Sequence, residues 1–191
     1  VLCQIKMLHD AAGILLGLAG GQHQLAAAGV QVGQQRGDAG VDLILKQALV
    51  WEILPEGRHG AVGVGIVQAA EIVERIKAEG KLAMVHMDLI AGLGSKEVSV
   101  DYIKERTKAD GIITTKPMLA KHARELGLAT VLRFFIIDSM ALSNLSKQTR
   151  EARPDCIEVL PGVMPKIIRK ITGENKTPLI AGGLISDKED V

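Results

Sequence analysis

Residues 156–184 read CIEVLPGVMPKIIRKITGENKTPLIAGGL, and this stretch leaves few choices of fold. An apolar run, Cys156–Leu160, ends in a Pro-Gly turn. Ile167, Ile168 and Ile171 then recur at helical spacing, with Lys166, Arg169 and Lys170 on the opposite face. Residues 175–178 break that period, and a second apolar run, Leu179–Ala181, meets the pair Gly182-Gly183. The pattern predicts strand, turn, helix, turn, strand. Two strands joined by a helical crossover lie parallel, and a parallel sheet is covered on both faces, so its strands are apolar throughout. In proteins built this way, ligands bind at the C-terminal ends of the strands.

The unit repeats. Residues 70–81 (AEIVERIKAEGK) predict an amphipathic helix with Ile72, Val73 and Ile76 on one face and Gly80 as its stop. Residues 82–85 predict a strand that delivers His86 and Asp88 at its end, both on one strand face. A loop with two glycines and a second helix follow. Gly111–Thr114 predicts the next strand, ending in Thr114, Thr115 and Lys116. Pro117 suits the first turn of the helix after it. Residues 130–137 are the most β-prone run and end in Asp138-Ser139; a helix over 141–152 then leads through Pro154-Asp155 to Cys156. Strands therefore begin near 82, 111, 130, 156 and 178. Short loops at that period imply parallel strands and right-handed crossovers. Polar residues at nearly every strand's end, and no G-x-G-x-x-G fingerprint, favour a TIM-barrel-like parallel (β/α) fold over an open doubly wound sheet. Five strands are firm, and residues 62–67 are a sixth candidate. The barrel is expected to be incomplete, with an atypical N-terminal strand region and the eighth strand missing.

Residues 1–68 differ in kind. They hold 4 Lys/Arg and 5 Asp/Glu, against 19 and 17 in residues 69–191, and Trp51 is their one aromatic. Glycine interrupts each helical stretch, at roughly 1 kcal/mol per interior position relative to Ala. Val30, Val32 and residues 41–45 are candidate short strands. Two readings stay open: a small-residue-rich loop and strand region, or a shifted reading frame or misassembled junction. The expected organisation is thus an atypical Gly/Ala/Gln-rich segment over 1–68 and a partial barrel domain over 69–191. The first residue is Val1, so a fragment is one expectation.

Composition narrows the function classes. With 47% hydrophobic and 24% charged residues in 191, the chain reads as a soluble globular protein. A net charge of +1 excludes a broad polyelectrolyte surface but leaves room for a local basic patch. Cys3 and Cys156 suit no metal spacing and read as reduced buried thiols of a cytoplasmic protein. No apolar run predicts a membrane span, and residues 14–19 lack the flanks of a signal peptide.

If the strands are parallel, His86, Asp88, Thr114, Thr115, Lys116, Arg133, Asp138, Ser139, Glu158, Gly182 and Gly183 share one rim. Each has a plain structural alternative: a hydrogen-bonded His86–Asp88 pair, a solvated Lys116, a tight turn at the glycines. Arg133 interrupts an apolar strand, and a buried arginine needs a carboxylate or a phosphate. Asp138 or Glu158 would serve within the protein. Taken together, Arg133, Lys116 and the backbone N–H groups of the glycine pair suggest a small phosphorylated ligand.

HMDLIAGL, DGIITTK, RFFIIDSMAL, IEVLPGVMPKII and PLIAGGLI, in this order and spacing, closely resemble the glycerol-3-phosphate-responsive antiterminators, the glycerol uptake operon antiterminator regulatory proteins of bacteria. The resemblance covers residues 70–191. It implies a barrel that binds glycerol 3-phosphate at its strand C-termini and acts on the leader mRNA of glycerol-utilisation genes. Carried onto this sequence, Asp88, Thr114, Lys116, Arg133, Asp138, Glu158, Gly182 and Gly183 become the expected ligand contacts. Lys147, Arg150, Arg153, Lys166, Arg169 and Lys170 could form a basic face for RNA phosphates, although any one of them taken alone reads first as an ordinary solvated helix position. No enzymatic activity, cofactor, metal or membrane partner is expected; a homo-oligomer is a candidate state. The alternative is a barrel enzyme on a small phosphorylated substrate. Lys116 would form a Schiff base, or Glu158 or His86 act as general base, or His86, Asp88 and Glu158 hold the metal of a phosphodiesterase.

Overall fold

A computed structural model describes residues 31–32, 65–78, 80 and 82–186. In chain order the elements are β1 (Gln31–Val32), α1 (Ile66–Ala78), β2 (Met84–His86), a 3-10 turn (Met87–Leu89), α2 (Glu97–Arg106), β3 (Gly111–Thr114), α3 (Pro117–Glu125), β4 (Ala129–Phe135), α4 (Ser139–Ala152), β5 (Cys156–Leu160), α5 (Pro165–Glu174) and β6 (Leu179–Ala181). The six strands form one sheet in the order β1-β6-β5-β4-β3-β2. β2 to β6 are parallel neighbours, and β1 joins β6 antiparallel. Alternating helices on a five-stranded parallel sheet make this the expected α/β, TIM-barrel-like architecture.

The helices stop and start where local chemistry dictates. Pro117 and Pro165 open α3 and α5, where a missing N–H is no loss. Asp138 caps α4, its side chain accepting from the Ala141 N–H at 2.7 Å. Gly80 follows α1 with φ at 69°, as expected of a stop. Among the described residues, no helix is long and apolar enough to cross a membrane.

Strand alternation sorts the core into layers. Val85, Ile112, Leu132, Ile157 and Val159 are buried in clusters shared with helix residues such as Val73, Val100, Leu119, Leu145 and Ile171. Met84, Ile113, Val131, Cys156 and Ile180 form a separate cluster on the other face of the sheet. Arg133 and Glu158 continue that second face along β4 and β5, and both are buried.

Several expectations need correction. α1 begins at Ile66, so Ile66 and Val67 are helical and not part of a strand; residues 62–64 lie outside the described residues, as do Val30 and residues 41–45. Val32 does lie in a short strand, as expected, and that strand pairs antiparallel with β6. Asp88 sits in the 3-10 turn and not on the strand with His86, because β2 ends at His86. β4 ends at Phe135, two residues short of the apolar run's end, and Ile137 is 83% exposed.

Candidate functional site

Parallel order puts the ends of β2 to β6 on one side of the sheet, and the polar residues predicted there fall into two groups. The first is built on Asp88. Its Oδ1 accepts from the Thr114 hydroxyl at 3.1 Å and from Lys116 Nζ at 3.0 Å. Its Oδ2 accepts from the Thr115 N–H at 2.6 Å and the Thr115 hydroxyl at 2.8 Å. The 3-10 turn after β2 thereby grips the end of β3, which also turns on itself through a Lys116 N–H to Thr114 Oγ1 bond of 3.1 Å. Burial pushes the Asp88 carboxyl up, but the Thr115 amide, Lys116 and the Thr115 hydroxyl together pull it down, and it ends below the ordinary value of 3.8. The Lys116 side chain is 38% exposed.

The second group is the pair Arg133–Glu158. The two residues are level across β4 and β5. Arg133 Nε donates to Glu158 Oε2 at 2.7 Å and its Nη2 to Oε1 at 3.3 Å, a two-pronged contact between side chains only 6% and 10% exposed. Of the two carboxylates weighed for Arg133, Glu158 is the one that meets it. Asp138 instead caps α4 at the surface, and Ser139 opens that helix, also exposed.

The glycine pair does two different things. The Gly182 N–H is bonded to the Val159 carbonyl at 3.0 Å, so this amide is not the phosphate donor expected of it. What Gly182 supplies is room: a Cβ there would lie 2.9 Å from Glu158 Oε1. Gly183 has φ at 77°, a conformation that a side chain would strain. Its carbonyl accepts from the Gly162 N–H at 2.9 Å, tying the turn after β6 to the turn after β5.

His86 is buried at the end of β2, level with Ile113 of β3. It does not pair with Asp88, whose partners are Thr114, Thr115 and Lys116. Among the described residues no group of three or more His, Cys, Asp and Glu could hold a metal ion, so His86, Asp88 and Glu158 are not a metal triad. Lys116, weighed as a Schiff-base lysine, donates from Nζ to Asp88 Oδ1 at 3.0 Å. The Cys156 thiol is buried, and burial, then Glu158 and Asp155, push it far up, so it stays an unreactive thiol. Cys3 lies outside the described residues.

The six candidate RNA-contacting cations lie on two consecutive helices. Lys147 and Arg150 are on α4, Arg153 follows it, and Lys166, Arg169 and Lys170 are on α5; all six are exposed. Among the described residues none of them takes part in a salt bridge, whereas Lys77, Lys108, Lys116 and Arg133 do.

Sequence reasoning missed the aspartates that precede strands. Asp110, just before β3, accepts from the Ala83 N–H at 2.7 Å and from Lys77 Nζ at 2.8 and 2.9 Å. Asp155, just before β5, accepts from the Thr130 N–H and hydroxyl, both at 2.8 Å. The signal was present: AD before GIIT and PD before CIEV repeat one residue at one place in two units.

Comparison with known proteins agrees with the architecture. Residues 61–191 match the glycerol-3-phosphate responsive antiterminator family, from somewhat upstream of the 70–191 span legible in the motifs. The uncharacterized protein YgcP of Escherichia coli (strain K12) is 46% identical over 125 residues, 65% of this chain and 65% of YgcP. Thus the match spans somewhat under two thirds of that relative's length. The crystal structure of the glycerol uptake operon antiterminator regulatory protein from Listeria monocytogenes str. 4b F2365 superposes with a TM-score of 0.64 at 33% identity, over 67% of this chain and 69% of that one. A glycerol uptake operon antiterminator-related protein from Thermotoga maritima MSB8 gives 0.59 at 37% identity, over 67% and 73%. The family match covers well over half of the sequence and includes both polar groups described above, so this chain belongs to the glycerol-3-phosphate responsive antiterminator family.

Proposed function

We propose that this chain is a non-enzymatic, metabolite-gated regulator in the cytoplasm. It binds glycerol 3-phosphate at the C-terminal ends of its parallel strands. It also binds the leader mRNA of glycerol-utilisation genes and lets transcription pass a terminator. Residues 69–191 form the regulatory domain.

The observation that carries the ligand reading is a pair of cations fixed by carboxylates at the ends of neighbouring strands, Lys116 after β3 and Arg133 on β4. Lys116 gives a phosphate monoester a charge-assisted donor, since an ammonium has three N–H groups and one of them holds Asp88. Asp88, Thr114, Arg133 and Glu158 line the glycerol end, where hydroxyls can both donate and accept. Gly182 and Gly183 keep the wall beyond β6 low, and Asp138 stands at its margin. The reading needs neither a cofactor nor a catalytic group. The RNA reading rests on the six exposed cations on α4, just after it and on α5, which would follow a phosphate backbone.

The test is thermal unfolding of the full chain with and without millimolar glycerol 3-phosphate, against glycerol and sulfate. A ligand that binds the folded state alone stabilises it by RT ln(1 + [L]/Kd), about 2.7 kcal/mol at 100-fold saturation. A shift produced by glycerol 3-phosphate and not by sulfate is expected; an equal shift with sulfate would reduce the site to an anion sink. For RNA, the affinity for a glycerol-gene leader should fall steeply with salt, and Arg150→Glu with Arg169→Glu should flatten that slope. Salt-insensitive binding would remove the basic face from the account.

A further inference from the structure

The exposed apolar side chains of this protein are not scattered. Leu89, Met118, Phe135, Ile137, Met140 and Leu184 are six of the eight large apolar residues exposed among those described. Each lies at or just past the C-terminal end of a strand: Leu89 after β2, Met118 in the first turn of α3, Phe135 as the last residue of β4, Ile137 and Met140 at the β4–α4 junction, Leu184 after β6. The remaining two, Val67 and Val98, sit in the first turns of α1 and α2. Because β6, β5, β4, β3 and β2 are neighbours in that order, the six trace an arc along one rim of the sheet. Single exposed apolar residues need no explanation, but apolar residues gathered on one rim of a sheet mark an interaction surface.

Charge identifies the occupant. On this rim Lys116 is paired with Asp88 and Arg133 with Glu158. Among the described residues, the exposed charges left beside the arc are Lys96, Glu97, Asp138 and Lys166, two of each sign. A polyanion gains nothing from a neutral apolar rim, and the exposed cations Lys147, Arg150, Arg153, Arg169 and Lys170 lie elsewhere, along or just after α4 and farther along α5. A neutral surface meets a copy of itself without like-charge repulsion, and a two-fold interface brings one patch against the same patch. At on the order of 100 Å² per exposed side chain, the arc approaches the roughly 800 Å² per partner of a standard stable interface. We propose that the C-terminal rim, centred on Phe135, Ile137 and Met140, is the surface on which a second copy of this chain docks.

The test is sedimentation velocity on the full chain over the micromolar range, with three variants. Ile137→Glu and Met140→Glu each place a charge at an exposed position (83% and 70%), so the fold should tolerate them. Arg169→Glu on α5 is the control. The unaltered chain and the control should form a concentration-dependent dimer, and each rim variant should weaken it roughly tenfold or more, as removal of an interface anchor does. Matching melting curves would show that the variants fold. A monomer at every concentration would overturn the proposal, and so would a dimer indifferent to both rim variants, which would place self-association on a sheet edge or helix face. Loss of leader RNA binding in Ile137→Glu at unchanged mass would overturn it too, by assigning the rim to RNA.

Discussion

The two ends of the parallel sheet are built from the same parts and arrive at different surfaces. At the N-terminal ends, Asp110 and Asp155 each reach back from the start of one strand to the start of its neighbour. Their acceptors are filled by backbone amides, a threonine hydroxyl and Lys77, and among the described residues no large apolar side chain is exposed there. At the C-terminal ends, Asp88 also ties two neighbouring strand ends and also accepts several bonds. But here a buried ion pair lies on the adjoining strands, and apolar side chains stand in solvent around it and Asp88. An aspartate between strands is therefore not diagnostic by itself. Lys77 is 30% exposed, close to Lys116, so what separates the two ends is what surrounds the aspartate: among the described residues, only the C-terminal end adds a buried ion pair and exposed apolar side chains. In barrels generally, the first end serves stability and the second serves binding.

The largest break in this comparison is at Arg133–Glu158. Arg133→Met leaves Glu158 as a buried carboxylate without its guanidinium, and removing one partner of such a pair costs about 3–5 kcal/mol. Urea denaturation should show that loss. Arg133→Met combined with Glu158→Leu should recover most of it, since two apolar side chains replace two desolvated charges. The glycerol 3-phosphate response should be absent from both proteins. A double variant that still responds would make the pair purely structural and move the site to Asp88 and Lys116.

Next in size is the opposite end. Asp155→Ala strips the acceptor from the Thr130 N–H and hydroxyl at once, and should cost about 2–3 kcal/mol. Here the ligand-induced shift in melting temperature should survive, measured at a temperature where the variant is folded. Loss of the shift would mean that the two ends are coupled and that the contrast between clamp and site is too simple.

That contrast also explains what was legible in the sequence. Strand starts expected near 82, 111, 130, 156 and 178 are observed at Met84, Gly111, Ala129, Cys156 and Leu179, because apolar runs bounded by turns are set by local composition. Strand ends were harder. The run through Ile136 and Ile137 reads as more strand, yet β4 stops at Phe135; apolar residues outside the core defeat a rule that equates apolar with buried. Arg133 was legible as needing an anion because it breaks an apolar strand, and Glu158 was one of two partners weighed. Asp88 was placed on the wrong element, since a 3-10 turn has no sequence period to betray it. Gly182 was read for its amide, while its role depends on a Glu158 carboxylate brought beside it by register. No local pattern encodes that contact.

Gly182→Ala sharpens the comparison by a smaller step. The new Cβ would lie 2.9 Å from Glu158 Oε1, so the carboxylate must shift against Arg133, at about 1–2 kcal/mol. The prediction is weaker glycerol 3-phosphate binding with the fold retained, read by isothermal titration. Unchanged affinity would show that Glu158 can move without consequence for the ligand.

The smallest effect is also the most local, and it lies in acid. Folded, the Asp88 carboxyl sits below the ordinary value of 3.8; unfolded, it returns there. A depressed carboxyl stabilises the fold above the unfolded value, and that contribution is lost as pH falls through the folded one. Asp88→Asn keeps the shape but cannot hold Lys116 as an ion. Unaltered protein and variant should therefore differ in melting temperature by a constant amount at neutral and mildly acidic pH, and the gap should close only below 3.8. A gap that persists unchanged into that range would mean that the carboxylate charge is not what holds β2 to β3. The threonine bonds alone would then be the clamp, and Lys116 would be free to serve the ligand entirely. A gap that closes as expected makes Asp88 both clamp and counter-ion, and places the boundary between stability and binding inside a single side chain.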